Sequence, residues 1–418
     1  MHSPLAGDTR VQAGSTRSAW TMLMALCSAF ALSHAYRTIA AIMASPLQAE
    51  FSLTAQQLGA FAGVFHFAFG AMQLFMGVGI DLHGVRRTVL TAFPLAVAGA
   101  VLCAMAPGYG VLILGQALIG VGCAPAFLVC TVFIARQFPA ERFASISGLV
   151  LGLGGLGMLA TGTPLAWLIQ ASSWRMGFWV LAAASFCAWL AIRHFVAADV
   201  DSANQQGESV WAAVRGFAGL FRLPHTFGIV VLGAITYAAF ITLRGLWLGP
   251  VLIERHGFSL VESGHVALAV SVVALISPPL FGRLDPGDVW RRRWLVAFTW
   301  LMAAMFAVLA FSATPLVRAG MPVLIGLASG YIVLQYADVR IAYPAALTGR
   351  AMAVFTMAMF LGVALMQWFT GLVASLAHAS GLDPFSSVFA VIAGLLVAAG
   401  LAFAMLPAPP GPARHKGM

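Results

Sequence analysis

The 418 residues are 61% hydrophobic and only 8% charged, with a mean hydropathy of +0.94. A soluble domain carries roughly 25% charged residues because it must face water, so most of this surface faces lipid. The 22 Lys+Arg against 13 Asp+Glu give +9, but the basic residues stand in short clusters between apolar runs without a basic, aromatic-bearing stripe. That speaks against nucleic acid and for the positive-inside bias of a membrane protein.

A polar leader over 1–19 precedes the first apolar run, which begins at Trp20 and continues to about Ala44, too long for a signal-peptide core. Further runs lie near 55–79, 88–106, 110–135, 145–170 and 175–195. The polar stretch Asp199–Pro224 then breaks the pattern before six more, near 226–253, 263–282, 293–312, 319–341, 350–377 and 386–407. Each can cross a hydrocarbon core of about 30 Å. A backbone in lipid must satisfy its own hydrogen bonds, so these runs are expected as helices rather than strands. The expected fold is an all-α membrane protein of twelve transmembrane helices. It divides into a six-helix half over 20–198, a linker over 199–224, a second half over 225–407 and a tail over 408–418.

With the N-terminus inside, the cytoplasmic side carries 17 basic residues, from Arg10 and Arg17 to Arg414 and Lys416, against Arg175, Arg255 and Arg318 opposite. This predicts that both termini are cytoplasmic. The five cysteines lie inside apolar segments without Cys-x-x-Cys spacing, so neither a disulfide framework nor a metal site is expected. The single lysine, Lys416, is followed by glycine, which excludes a Walker loop. No paired catalytic acids or Ser/His arrangement appears, so no enzyme activity and no cofactor are expected.

The halves repeat. Phe51-Ser52-Leu53 recurs as Phe258-Ser259-Leu260, Pro46 as Pro250, Gly77 as Gly282 and Phe138-Pro139 as Tyr343-Pro344, at offsets of 204 to 207. Parallel repeats of this kind place a solute site between the halves near mid-membrane.

Between the second and third runs stands Gly77-Val-Gly-Ile-Asp81-Leu-His-Gly84-Val-Arg86-Arg87. It resembles the cytoplasmic-loop signature of the major facilitator superfamily, and Arg142 stands in a loop similar to that superfamily's connection between the fourth and fifth helices. The resemblance implies a gating latch made by Gly77, Asp81, Gly84, Arg86, Arg87 and Arg142. A degraded copy, Gly282-Arg-Leu-Asp285 followed by Arg291-Arg292-Arg293, occupies the equivalent place in the second half. Gln116 stands where drug exporters of the superfamily carry a buried arginine, and Thr161-Gly162 stand where their fifth helix has Gly-Pro. Both departures count against drug–proton antiport.

Charges in a membrane interior default to functional hypotheses. Arg37 and Arg244 lie 207 residues apart, at expected depths of roughly 26 Å along their helices. The guanidinium donates paired hydrogen bonds to carboxylate or phosphate, and these two positions resemble the first- and seventh-helix arginines of organophosphate and organic-anion carriers in the superfamily. His34, Tyr237, His66, Gln73, Gln335 and Gln367 complete the expected solute site, with Asp338 as a gate or proton-carrying acid. The reading is a secondary transporter of a small organic anion, with a proton, sodium ion or counter-anion as coupling partner. The resemblance implies a monomer in a bacterial inner membrane. An exporter of neutral or cationic compounds is the alternative, and a non-transporting sensor or scaffold is a further one.

Overall fold

The computed structural model describes residues 8–139, 142–197, 219–312 and 314–407. Most of the expected linker, the start of the leader and the tail lie outside them. Among the described residues there is no strand. The first half contains α1 (Asp8–Phe51), α2 (Ala55–Ala104), α3 (Tyr109–Cys123), α4 (Ala126–Gln137), α5 (Phe143–Ala160), α6 (Thr163–Ala171) and α7 (Trp174–Phe195). The second contains α8 (Pro224–Thr242), a π turn (Leu243–Trp247), α9 (Leu248–Pro250), a second π turn (Val251–Arg255), α10 (Leu260–Arg283) and α11 (Asp288–Phe311). It ends with α12 (Pro315–Ala328), a 3₁₀ turn (Ser329–Tyr331), α13 (Ile332–Ala342), α14 (Ala345–Ala379) and α15 (Pro384–Met405).

Eleven helices among the described residues are long and apolar enough to cross a membrane. The remaining expected run, near 55–79, is also helical, as the first part of α2, and carries the polar Gln56, Gln57, His66 and Gln73. Three expected runs are broken within the membrane rather than continuous. The 110–135 run breaks at Pro125 and the 145–170 run at Gly162, with Pro164 in the first turn of α6, where a missing N–H costs no bond. The 319–341 run tightens into the 3₁₀ turn before α13. Freed groups at these breaks find partners, as lipid requires. Gln73 Nε2 donates to the Ala124 carbonyl at 3.1 Å, Thr38 and Thr161 share a hydroxyl bond of 2.6 Å, and the Gly330 N–H donates to Ser277 Oγ at 3.1 Å.

Backbone geometry refines the repeat. A positive-φ residue, Ser52 (52°) or Gly257 (68°), follows the first crossing of each half. A capping box then starts the next helix, Thr54 with Gln57 or Ser259 with Glu262. Phe138 (φ −122°, ψ 150°) and Tyr343 (φ −127°, ψ 148°) likewise end α4 and α13 in the same conformation. All three pairs stand 205 residues apart, so Thr54 rather than Ser52 is the counterpart of Ser259. Gly84 (φ 78°, ψ 169°) and Gly287 (φ 77°, ψ 173°) also match, each at the sharp bend before the next helix, where a Cβ would be strained.

The halves meet where α2 packs on α14, α1 on the seventh-crossing π turn, and α5 and α6 on α10. Backbones approach most closely at the end of the bundle that holds Glu50 and Gly257. A Cβ on Gly249 would stand 1.9 Å from the Ala41 carbonyl oxygen, and one on Gly59 2.3 Å from that of Gln367. Small residues are what allow such contact in lipid, where dispersion rather than hydrophobicity holds helices together. At the same end each half is internally clamped. Glu50 accepts from Trp174 Nε1 at 2.6 Å and from Arg175 at 2.8 Å, and Arg255 pairs with Asp383.

Candidate functional site between the halves

Arg37 lies in α1, 6% exposed, and its guanidinium is held between two aromatic rings. Phe69 of α2 lies 4.6 Å from it and Phe360 of α14 4.7 Å, one ring from each half. Each such contact contributes about 0.5–2 kcal/mol, the higher figure applying when desolvated. Nη2 donates to Ser33 at 3.3 Å, while Nε has no partner and no carboxylate pairs with Arg37 among the described residues. A mid-membrane arginine costs about 2.5–3.5 kcal/mol to insert, so an uncompensated one marks a place where charge is used.

Phe360 gathers the other polar groups. The His66 ring stacks on it at 6.4 Å, and the Tyr237 ring meets it edge-on at 5.5 Å. Gln367, two turns further along α14, is fully buried with both amide atoms unpartnered, and His66 Nε2 is unpartnered too. The Gln367 amide lies 3.6 Å from where a Gly245 Cβ would stand, and the Arg37 carbonyl 3.0 Å from the same point. Arg37, His66, Tyr237 and Gln367 therefore converge at the half-to-half contact. His34 stays on the flank, its Nδ1 at 3.4 Å from the Phe30 carbonyl and its ring against Phe30.

Arg244 points elsewhere. It is fully buried; Nε donates to Ser271 of α10 at 3.0 Å and Nη2 to the Met158 carbonyl of α5 at 3.2 Å. The two guanidinia thus engage different helices and do not share one space here. The backbone explains this. The caps fix an offset of 205 beyond the first and seventh crossings, and the π turn Leu243–Trp247 carries Arg244, so its direction is not that of Arg37 in the continuous α1. The offset of 207 that pairs the arginines in sequence is not the offset of the matched caps.

Two expected solute ligands are committed to structure. Gln73 serves the break at Ala124, and Gln335 Nε2 donates to Thr236 at 2.8 Å. Gln335 lies beside Asp338, Leu295 and Phe403 around a gap too small to hold a water molecule. Asp338 is 3% exposed, and its Oδ2 lies 3.8 Å from Arg292 Nη1, so the acid faces an arginine of the same half.

In the loop between the second and third crossings, Gly84 makes the bend, and Thr88 donates to its carbonyl at 2.8 Å. Arg86 donates to the Arg193 carbonyl at 3.0 Å, satisfying the C-terminal end of α7. Gly77 lies inside α2, while Arg87 and Arg142 are exposed. The Asp81 side chain lies outside the described residues. In the second half, Asp285 accepts from Arg291 Nε at 3.0 Å and Nη2 at 2.8 Å, and Asp288 from Nη1 at 2.8 Å. This copy of the motif is closed on itself.

The Arg291 bonds hold the Asp285 carboxyl below its usual range. The stabilisation is therefore complete above the ordinary carboxylate pKa of about 3.9 and lost only as pH falls through the depressed value. Asp285→Asn should lower the unfolding midpoint at pH 7, with the gap to wild type closing as the buffer is acidified below that range. A gap independent of pH would refute the assignment.

A family profile described as Major Facilitator Superfamily matches residues 23–333. "Efflux pump hmp6" of Hypomyces subiculosus is 27% identical over 159 residues, 38% of this chain and 28% of the pump. A "Putative metabolite transport protein" of Haemophilus influenzae is 25% identical over 284 residues, 63% of this chain and 67% of that protein. The "Probable sulfoacetate transporter SauU" of Cupriavidus necator is 22% identical over 277 residues, 63% of this chain and 64% of the transporter. The solved D-xylose-proton symporter superposes with a TM-score of 0.75 at 14% identity, covering 94% of this chain and 99% of the symporter.

Proposed function

This chain belongs to the major facilitator superfamily, and on that premise we propose that it is a secondary transporter whose cargo is a small organic anion bound at Arg37. The observation that carries the reading is the Arg37 guanidinium, buried between Phe69 and Phe360 with an unused donor and, among the described residues, no acid paired to it. A carboxylate, sulfonate or phosphate ester would supply the missing charge. The Tyr237 hydroxyl, the Gln367 amide and His66 Nε2 supply further polar contacts. The rings come from opposite halves, so rocking the halves apart removes one ring from Arg37 and opens it to solute. Alternating access in this form couples binding to the conformational change. Arg244 joins α5 to α10 across the halves and acts on that change rather than on the cargo. A relative named for sulfoacetate, a small anion, fits the same reading.

The match to an efflux pump favours export as a direction, and a neutral or cationic cargo is the second reading. One assay separates them. Purified protein in sealed vesicles should exchange a radiolabelled carboxylate, sulfonate or phosphate ester, and imposed pH or sodium gradients identify the coupling ion. Transport of a cationic dye with no anion carried would overturn the organic-anion assignment.

A further inference from the structure

A second ligand site lies away from the half-to-half interface, on the flank where α11 packs on α15. A groove of about 410 Å³ runs there, with Arg292 and Arg293 at one end and Val296, Ala297, Trp300 and Phe403 along its walls. Both helices belong to the second half, so the groove opens to the surroundings of the bundle. Its rim is apolar and exposed, with Trp300 at 43% and Leu401 at 45%. The indole of Trp300 lies down on α15 at Gly400, where a Cβ would stand 2.5 Å from its Nε1. This forms the groove's wall.

Arg292 is held from two sides within the second half, and Arg293 is the exposed cation. Arg292 Nη2 donates to the Phe403 carbonyl at 3.2 Å, and its guanidinium lies 4.0 Å from the Phe403 ring. Its Nη1 is buried without a hydrogen-bond partner, with the Asp338 carboxylate 3.8 Å away on the core side. Arg293 lies over the exposed ring of Trp290 at 4.7 Å. From Arg292 to Trp300 the helix rises about 12 Å. Positive charge near the start of α11, followed by an apolar channel that reaches the mid-helix indole of Trp300, fits a phospholipid: phosphate on the arginines, acyl chain along the wall.

We propose that this groove binds an anionic phospholipid, its phosphate on Arg292 and Arg293. The tail beyond Leu406 carries Arg414, His415 and Lys416, which are basic and do not complement two arginines. The site is independent of the Arg37 reading.

The test uses the full chain purified in detergent, with the thermal-unfolding midpoint followed against added dioctanoyl phosphatidylglycerol. The midpoint should rise and saturate, while dioctanoyl phosphatidylcholine and inorganic phosphate should not reproduce the rise. Arg293→Gln should raise the half-saturating concentration about fivefold, as expected for one arginine near an anionic headgroup. Arg292→Gln with Arg293→Gln should raise it about 25-fold. Ala297→Trp, which fills the groove, should abolish the response. Arg292 also faces Asp338, so the single variants at 293 and 297 decide the matter if the double variant does not fold. Equal stabilisation by phosphatidylcholine, or by inorganic phosphate alone, would overturn the proposal. An unchanged phosphatidylglycerol response in either single variant would do the same.

Discussion

Exchanging Arg37 for lysine should weaken binding of an anionic solute by about 10- to 100-fold, the equivalent of one charge-assisted hydrogen bond, while leaving insertion and folding intact. The planar guanidinium fits between two rings at 4.6 and 4.7 Å and still presents a free donor edge. An ammonium is a strongly hydrated point charge that neither stacks nor forks. Lysine at 244 should behave differently. Two Arg244 donors tie Ser271 to the Met158 carbonyl across the halves while Nη1 has no partner, so Arg244→Lys should slow turnover more than it lowers the solute affinity. Solute-induced thermal shifts give the affinities, and counterflow into vesicles gives the rates. Wild-type affinity in Arg37→Lys would remove Arg37 from the site. A large affinity loss in Arg244→Lys with its turnover preserved would transfer the anion to Arg244.

The contrast between the two arginines shows where the sequence runs out. Helix placement was legible because lipid forces twenty-residue apolar runs. The half repeat was legible because turns and caps leave short signatures. Side-chain direction was not. The π turn Leu243–Trp247 redirects Arg244 relative to Arg37, and the matched caps at Thr54 and Ser259 show that the offset of 207 is not theirs. Gln73 and Gln335 looked like solute ligands because each stands on a polar stripe of its helix, with His66 or with Asp338. Their partners, a carbonyl at the Pro125 break and Thr236, exist only once the helices pack. Phe69 and Phe360 escaped notice for the opposite reason: among 30 phenylalanines, nothing in the sequence sets apart the two that hold Arg37. A phenylalanine one turn from a histidine, as Phe69 is from His66, was the available hint.

The largest conformational effect is expected from Gly249→Val. The seventh crossing presses on the first so closely that a Cβ at 249 would stand 1.9 Å from the Ala41 carbonyl oxygen. The obstacle is backbone, so no rotamer change relieves it, and the two helices must separate. Overpacking costs about 1–3 kcal/mol even where side chains can shift, and about 3 kcal/mol moves a two-state equilibrium by more than a hundredfold. The variant should therefore depopulate the state described here and favour one in which this end is open. Transport should fall by at least about tenfold, because alternating access needs both states, yet the protein should remain folded. The readout is the substitution Ala364→Cys, at a position buried where α14 meets α2; the Ala364 carbonyl oxygen lies 2.9 Å from where a Gly63 Cβ would stand. Cys187 is an exposed native thiol, so the background carries Cys187→Ser. The introduced thiol should be unreactive towards an impermeant maleimide in that background and reactive once Gly249→Val is added. The positive-inside bias predicts that the reagent acts from outside. Gly59→Val, at the independent contact of α2 with the Gln367 carbonyl, should give the same pair of results. Wild-type transport with an unreactive thiol at position 364 in both variants would mean that these contacts do not part during the cycle.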